Sequence, residues 1–146
     1  MEFIQTFEQI LQGIPSKLKQ FSEEHASEKP RPEKWSKKEI LGHLIDSAAN
    51  NHQRFVRMQI DNKLHLPQYQ QNEWVNIQAY HEKSWDDIIV LWQNYNTHLL
   101  HVMKHVDHSK LNNTAIFPDY GELTLHFLMD DYVRHMEHHL KQIFNY

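Results

Sequence analysis

Cysteine is absent from this 146-residue chain, and glycine and proline are scarce, at three and five residues. Without cysteine no disulfide framework can form, and no side-chain thiolate can act as a nucleophile or metal ligand. So few glycines and prolines leave little room for the many turns of a β-sandwich, which favours long helices. Because nothing suggests a disulfide-rich secreted protein, the cytoplasm is the expected location.

Long apolar runs and basic clusters are also missing. No segment approaches the roughly 20 apolar residues of a membrane-spanning helix, and the N-terminus lacks the basic start and cleavage site of a signal peptide. The formal charge is −4 and no basic stripe stands out, so neither nucleic acid nor a membrane is an expected partner. Histidine is abundant instead, at 13 residues, and the positions of the histidines carry the functional interpretation.

Apolar residues recur every three or four positions in four segments, which predicts long amphipathic helices. In the first segment, Pro15 predicts either a kink or a break after Gly13. Ser36 and Glu39 form a capping box that starts the second helix, and Val56 is expected among its buried residues. The predicted helices span about residues 2–24, 36–60 and 84–106, and a last helix begins at Glu122 or Thr124 and runs to about residue 144.

The segments between these helices lack the periodicity. Residues 25–34 are predicted as a loop, residues 61–71 as a connector, and residues 72–80 as a short helix. Residues 107–121 are predicted as irregular with a small extended excursion. The pattern as a whole predicts an all-α fold, with one four-helix-bundle domain over residues 1–146.

Three histidines are candidate metal ligands. His135 and His139 lie four residues apart and therefore share one face of the last helix, the side that also carries Tyr132. His43 lies beside Leu44 in the second helix and should also face the core. Imidazoles that face inward need polar partners, and a metal ion held by all three would be such a partner.

A second histidine set leaves the assignment open on spacing alone. His98, His101 and His105 in the third helix have equally suitable intervals. The apolar stripe of that helix places them on its more exposed face. A chain with 13 histidines also produces such pairs by chance.

A polar column continues from His43 along the second helix, through Ser47, Asn50 or Asn51, and Arg54. Such a column is typical of a lined cavity rather than a sealed core, and arginine is well suited to bidentate carboxylate binding. Ser47, Asn50 and Arg54 are therefore candidate substrate-binding residues. The alternative is a polar face that is satisfied by its neighbours or by water.

Three stretches carry motifs that can be compared with known families. They are Lys34-Trp35-Ser36 through Glu39 with His43-Leu44-Ile45-Asp46-Ser47, Asn50 and Arg54-Phe55; Leu66-Pro67-Gln68-Tyr69 with Trp74; and Tyr132-Val133-Arg134-His135-Met136-Glu137-His138-His139-Leu140-Lys141-Gln142-Ile143. Together they resemble the signatures of the DinB-like, YfiT-like superfamily. The resemblance implies a four-helix bundle with metal ligands at His43, His135 and His139, a site at the mouth of a pocket, and homodimers.

The superfamily members that the chain resembles include thiol transferases that use bacillithiol, mycothiol or glutathione-like thiols, and also metal-dependent hydrolases. The favoured hypothesis is a thiol S-transferase that uses Zn²⁺ or Ni²⁺ to join a low-molecular-weight thiol to a small electrophile. The alternatives are a hydrolase that activates water and a non-catalytic, stress-related metal-binding protein. No general base is identifiable, because Glu137 should point away from His135. Asp46 or Asp131 is a candidate to hold the second nitrogen of a ligand imidazole, and a surface or capping role is the alternative for each.

Overall fold

Four long helices pack as a bundle in the computed structural model, which describes residues 1–145. α3 is central and packs against α5 and α6, and α1 packs against the same two helices. The predicted four-helix bundle is confirmed. In chain order the elements are α1 (Glu2–Leu18), α2 (Glu23–Ser27), α3 (Lys37–Ile60), β1 (Leu64–His65), α4 (Gln71–Gln78), α5 (Trp85–Lys104), β2 (Thr114–Phe117), β3 (Gly121–Thr124) and α6 (Leu125–Asn145).

The helix that carries His43 begins and ends where the sequence predicts. The Ser36 hydroxyl accepts from the Glu39 N–H, and the Glu39 carboxylate accepts from the Ser36 N–H, which completes the capping box. Phe55 is fully buried, but Val56 is exposed, so the prediction for Val56 is wrong. The next residue along a helix is rotated by about 100°, which carries Val56 out of the core.

The N-terminal segment differs from the prediction in two ways. α1 continues through Pro15 to Leu18, so the break after Gly13 does not occur, and the helix ends about six residues earlier than predicted. A separate helix, α2, then occupies the start of the predicted loop. Its N-cap is Ser22, whose hydroxyl accepts from the His25 N–H, and this local cap explains why a new helix begins there.

A small sheet covers one end of α6. β2 pairs with β3 in antiparallel orientation, as the extended excursion suggested, and with the two-residue β1 in parallel orientation. Gly121 opens β3 with a φ of 73°, a conformation that glycine adopts without strain. Among residues 1–145, no helix combines the length and the apolar character needed to cross a membrane.

Candidate metal centre

His43, His135 and His139 converge at one point inside the bundle. α3 carries His43 about two turns after its capping box, and one face of α6 carries the other two. The Nε2 atom of His135 lies 3.2 Å from Nε2 of His43 and 3.1 Å from Nε2 of His139. One nitrogen from each ring lies within 4.8 Å of the other two, a spacing at which the three rings can hold one metal ion.

The metal-free site favours neutral imidazoles. Burial, together with the neighbouring histidines, lowers the pKa of His43 to about 3 and that of His135 to about 4. Burial also lowers the pKa of His139, although its hydrogen bond with Gln142 acts in the opposite direction. The Trp35 ring lies over His43, with 5.0 Å between ring centroids, and His43 is fully buried. Neutral rings offer the lone pairs that a metal ion requires.

The hydrogen bonds around the cluster fit a metal ion bound by the three rings better than hydrogen bonds among the rings alone. The Gln142 amide nitrogen lies 3.3 Å from His138 Nε2, which leaves the Gln142 carbonyl oxygen to accept from His139 Nδ1 at 2.8 Å. His139 therefore presents a lone pair at Nε2. One hydrogen on His135 Nε2 cannot satisfy both neighbouring rings, whereas a cation accepts three lone pairs at once.

The second ring nitrogens are not hydrogen-bonded to the carboxylates that the sequence analysis named as their candidate partners. Asp46 accepts instead from the Tyr80 hydroxyl at 2.6 Å and from the Gln78 amide at 2.7 Å, and Asp131 pairs with Arg134. Nδ1 of His43 is buried and has no hydrogen-bond partner in the described part of the chain. Gln142 orients the His139 ring, and the sequence analysis did not identify it. Its position three residues after His139 places the two side chains side by side on a helix, which could have indicated this contact.

A polar cavity of about 170 Å³ opens beside His135. Arg54 lines it from α3 and Tyr120 from the turn between β2 and β3. Burial raises the pKa of Tyr69, another lining residue, to about 12, so its phenol is a neutral hydrogen-bond donor at pH 7. The remaining lining residues are Ser47, Asn51, Gln68, Gln71, Leu128, Asp131 and Tyr132.

Two of the three predicted substrate-binding candidates, Ser47 and Arg54, line this cavity. Asn50 does not line it, and its amide donates to the Asp46 carbonyl of its own helix at 2.9 Å. Its neighbour Asn51 faces the cavity instead, so this candidate is corrected by one residue. The one-residue difference matters because it rotates a side chain by about 100° around the helix.

The alternative histidine set lies on the surface, as its helix face predicted. His98 and His101 are exposed on α5, and His105 is exposed directly after its last residue. His98 contacts the ring of His52 from α3. Among residues 1–145, only the cluster of His43 and its two partners brings three ligand atoms within metal-binding reach.

The lowered histidine pKa values predict a pH-dependent stability for the metal-free protein. A histidine in the unfolded chain has a pKa near 6.5, whereas the pKa of His43 in the folded protein is about 3. Between these two pH values the unfolded state binds more protons than the folded state. The free energy of unfolding therefore falls as the pH falls. By pH 5, His43 alone should lower the free energy of unfolding by about 2 kcal/mol. Urea denaturation with a chelator at pH 7.5 and 5 measures this loss, and His43→Gln should reduce it. An equal loss in that variant contradicts the assignment.

Two solved structures resemble this fold. YfiT from Bacillus subtilis, described as a probable metal-dependent hydrolase with an unusual four-helix bundle topology, is 20% identical, with a TM-score of 0.83 over 97% of this chain and 84% of its own. YjoA, a DinB-like protein from the same organism, is 18% identical, with a TM-score of 0.65 over 99% of this chain and 88% of its own. Such low identities show a shared fold alone. No functionally curated protein matches the chain.

The fold and the site together define a class of protein, namely four-helix bundles with an inward-facing histidine cluster suited to a divalent metal ion. The sequence model of the DinB superfamily matches residues 6–143. The chain therefore belongs to the DinB superfamily, and the family resemblance drawn from its motifs is confirmed.

Proposed function

We propose that this protein is a metal-dependent thiol S-transferase that joins a carboxylate-bearing low-molecular-weight thiol to a small electrophile. The observation that carries the proposal is the guanidinium of Arg54. It lines the same cavity as His135, and within residues 1–145 no carboxylate oxygen lies within ion-pair distance of it. A partly buried cation without a counter-ion favours an anionic ligand.

The side chains around Arg54 suit a small polar ligand. The guanidinium donates to the Pro67 carbonyl at 3.4 Å and lies over the Phe117 ring, with its central carbon 4.8 Å from the ring centroid. These contacts hold the planar group in place without neutralising its charge. The neutral phenol of Tyr69 and the amide of Asn51 add hydrogen-bonding groups to the same cavity.

The three histidines would hold a divalent ion, with zinc or nickel as our proposal for its identity. When bound, such an ion supplies the Lewis acidity that lowers the pKa of a thiol beside it. His135 lines the cavity that contains Arg54, so a thiol whose carboxylate binds Arg54 would have its sulfur near the cluster. The absence of cysteine from the chain is consistent with a thiol that comes from the substrate.

Replacing Arg54 by alanine is expected to raise the KM for a carboxylate-bearing thiol such as glutathione about ten-fold or more, the usual effect of losing a charge-assisted hydrogen bond. The KM for 2-mercaptoethanol, which has no carboxylate, should stay the same. Steady-state conjugation assays measure both constants. Arg57→Ala is the matched control, because Arg57 is exposed on the same helix. An equal rise for both thiols would contradict a carboxylate-binding role.

A metal-dependent hydrolase is the second candidate, and the position of Asp131 favours it. The Asp131 carboxylate lines the cavity beside His135, where a general base for water would be needed, and YfiT is described as a probable metal-dependent hydrolase. Turnover of ester or amide substrates without any thiol would support this candidate over the transferase. Metal binding without either activity would leave a non-catalytic role.

The proposal also includes a homodimer and a cytoplasmic location. Both come from the family resemblance and the composition of the chain. Sedimentation of the purified protein measures the assembly state directly.

A further inference from the structure

His52 of α3 and His98 of α5 form a second histidine pair that joins two helices. Their ring centroids lie 5.1 Å apart, and the ring planes cross at 82°. The His43 and His135 rings of the internal cluster have nearly the same arrangement, at 5.1 Å and 74°, and their Nε2 atoms lie 3.2 Å apart. The spacing and angle of the second pair are therefore close to those of two rings that can present nitrogens to one ion.

Tyr95 orients the His52 ring. Its hydroxyl oxygen lies 3.0 Å from Nδ1 of His52, and burial raises the pKa of the phenol, so the hydroxyl is neutral at pH 7. When Nδ1 carries the hydrogen and donates it to Tyr95, the lone pair of His52 is at Nε2. A histidine that binds a metal ion usually donates its second N–H to an oxygen in this way. Tyr95 thus gives His52 the partner that a metal-binding imidazole usually has.

The two helices hold both histidines in place relative to each other. Tyr95 and His98 lie three residues apart on α5 and therefore share one face of that helix, and α5 packs directly against α3. His52 is partly buried and His98 is exposed, so an ion can reach the pair from solvent. Because the backbone positions are already set, binding an ion orders only the two side chains.

We propose that His52 and His98 form a second, exchangeable site for a divalent transition-metal ion such as Zn²⁺. Imidazole nitrogens suit such ions, and water occupies the remaining positions, as in open zinc sites. Two protein ligands bind more weakly than three, and Arg57, which together with His52 lines a cavity of about 190 Å³, adds a repelling positive charge. The internal cluster therefore fills first. The second site does not depend on the proposed transferase function.

Calorimetric titration with zinc chloride, on protein that already holds one equivalent, tests this site. The second equivalent should bind about 100-fold more weakly than the first, as expected with one protein ligand fewer. His52→Ala and His98→Ala should each weaken only this second event, by about ten-fold or more, and Tyr95→Phe should weaken it about ten-fold, the usual effect of losing the outer partner of a ligand histidine. His101→Ala is the matched control, because His101 is another exposed histidine on α5, and it should change neither event.

The position of the second ion separates this site from the other surface histidines. The NMR signals of the His52 and His98 rings should shift with the second equivalent, and those of His101 and His105, whose rings meet at 4.2 Å with only 37° between their planes, should not. The absence of a second event, or a second event lost in His101→Ala and kept in His98→Ala, would overturn the proposal. Zinc-dependent association in sedimentation would also overturn it, because the ion would then be shared between two molecules.

Discussion

Replacing His139 by alanine is expected to lower the affinity of the protein for a divalent metal ion by more than about 100-fold. Loss of an outer hydrogen-bond partner of a metal ligand already costs about 10- to 100-fold, and this change removes one of only three ligands. Competition with a chromogenic chelator measures the affinity of the purified protein. Because His139 is only partly buried, the metal-free variant should keep its helical circular dichroism.

His101→Ala is the matched control for that experiment. His101 also lies on a long helix with a histidine four residues later, and its ring centroid is 4.2 Å from that of His105. It differs from His139 in being exposed and in lacking a third histidine within metal-binding reach. Full metal affinity in His139→Ala, or an equal loss in the control, would show that the internal cluster is not the metal site.

The bundle could be predicted because its helices carry local signals. Ser36 and Glu39 define the start of α3 through contacts within one turn of helix, and the apolar positions of α6 follow the helical period to Ile143. The first strand of the sheet offered no comparable signal. β1 is two residues long, and its partner β2 lies about 50 residues away in the sequence, so its pairing depends on the packed bundle rather than on local preference.

The candidate site was predictable in part for the same reason. The interval between His135 and His139 places both rings on one helix face, but the same kind of interval occurs at His101 and His105. Burial distinguishes the two pairs, and burial depends on which helices pack together. The failed expectation for Asp46 has a similar cause, because its carboxylate is held by Tyr80 and Gln78 from the segment that follows α3.

Replacing Gly42 by alanine is expected to destabilise the protein by about 2–3 kcal/mol, which lowers the melting temperature by roughly 4–12 °C in a protein of this size. A Cβ atom at this position would lie 2.7 Å from Cε2 of Tyr80 and closer still to two other atoms of its ring. Alanine should gain about 1 kcal/mol from its higher helix propensity. The overlap outweighs this gain because the Tyr80 ring is buried and its hydroxyl is bound to Asp46.

The Gly13→Ala substitution is expected to change the stability of the protein in the opposite direction. Gly13 lies within α1, and a Cβ atom added to it would meet no packing neighbour within 4 Å, so alanine should stabilise the protein by about 0.5–1 kcal/mol. Thermal unfolding of both variants measures the two effects. In a double-mutant cycle, Tyr80→Ala should remove most of the cost of Gly42→Ala, because the overlapping ring is then gone. An unchanged cost would show that the ring does not set the requirement for glycine.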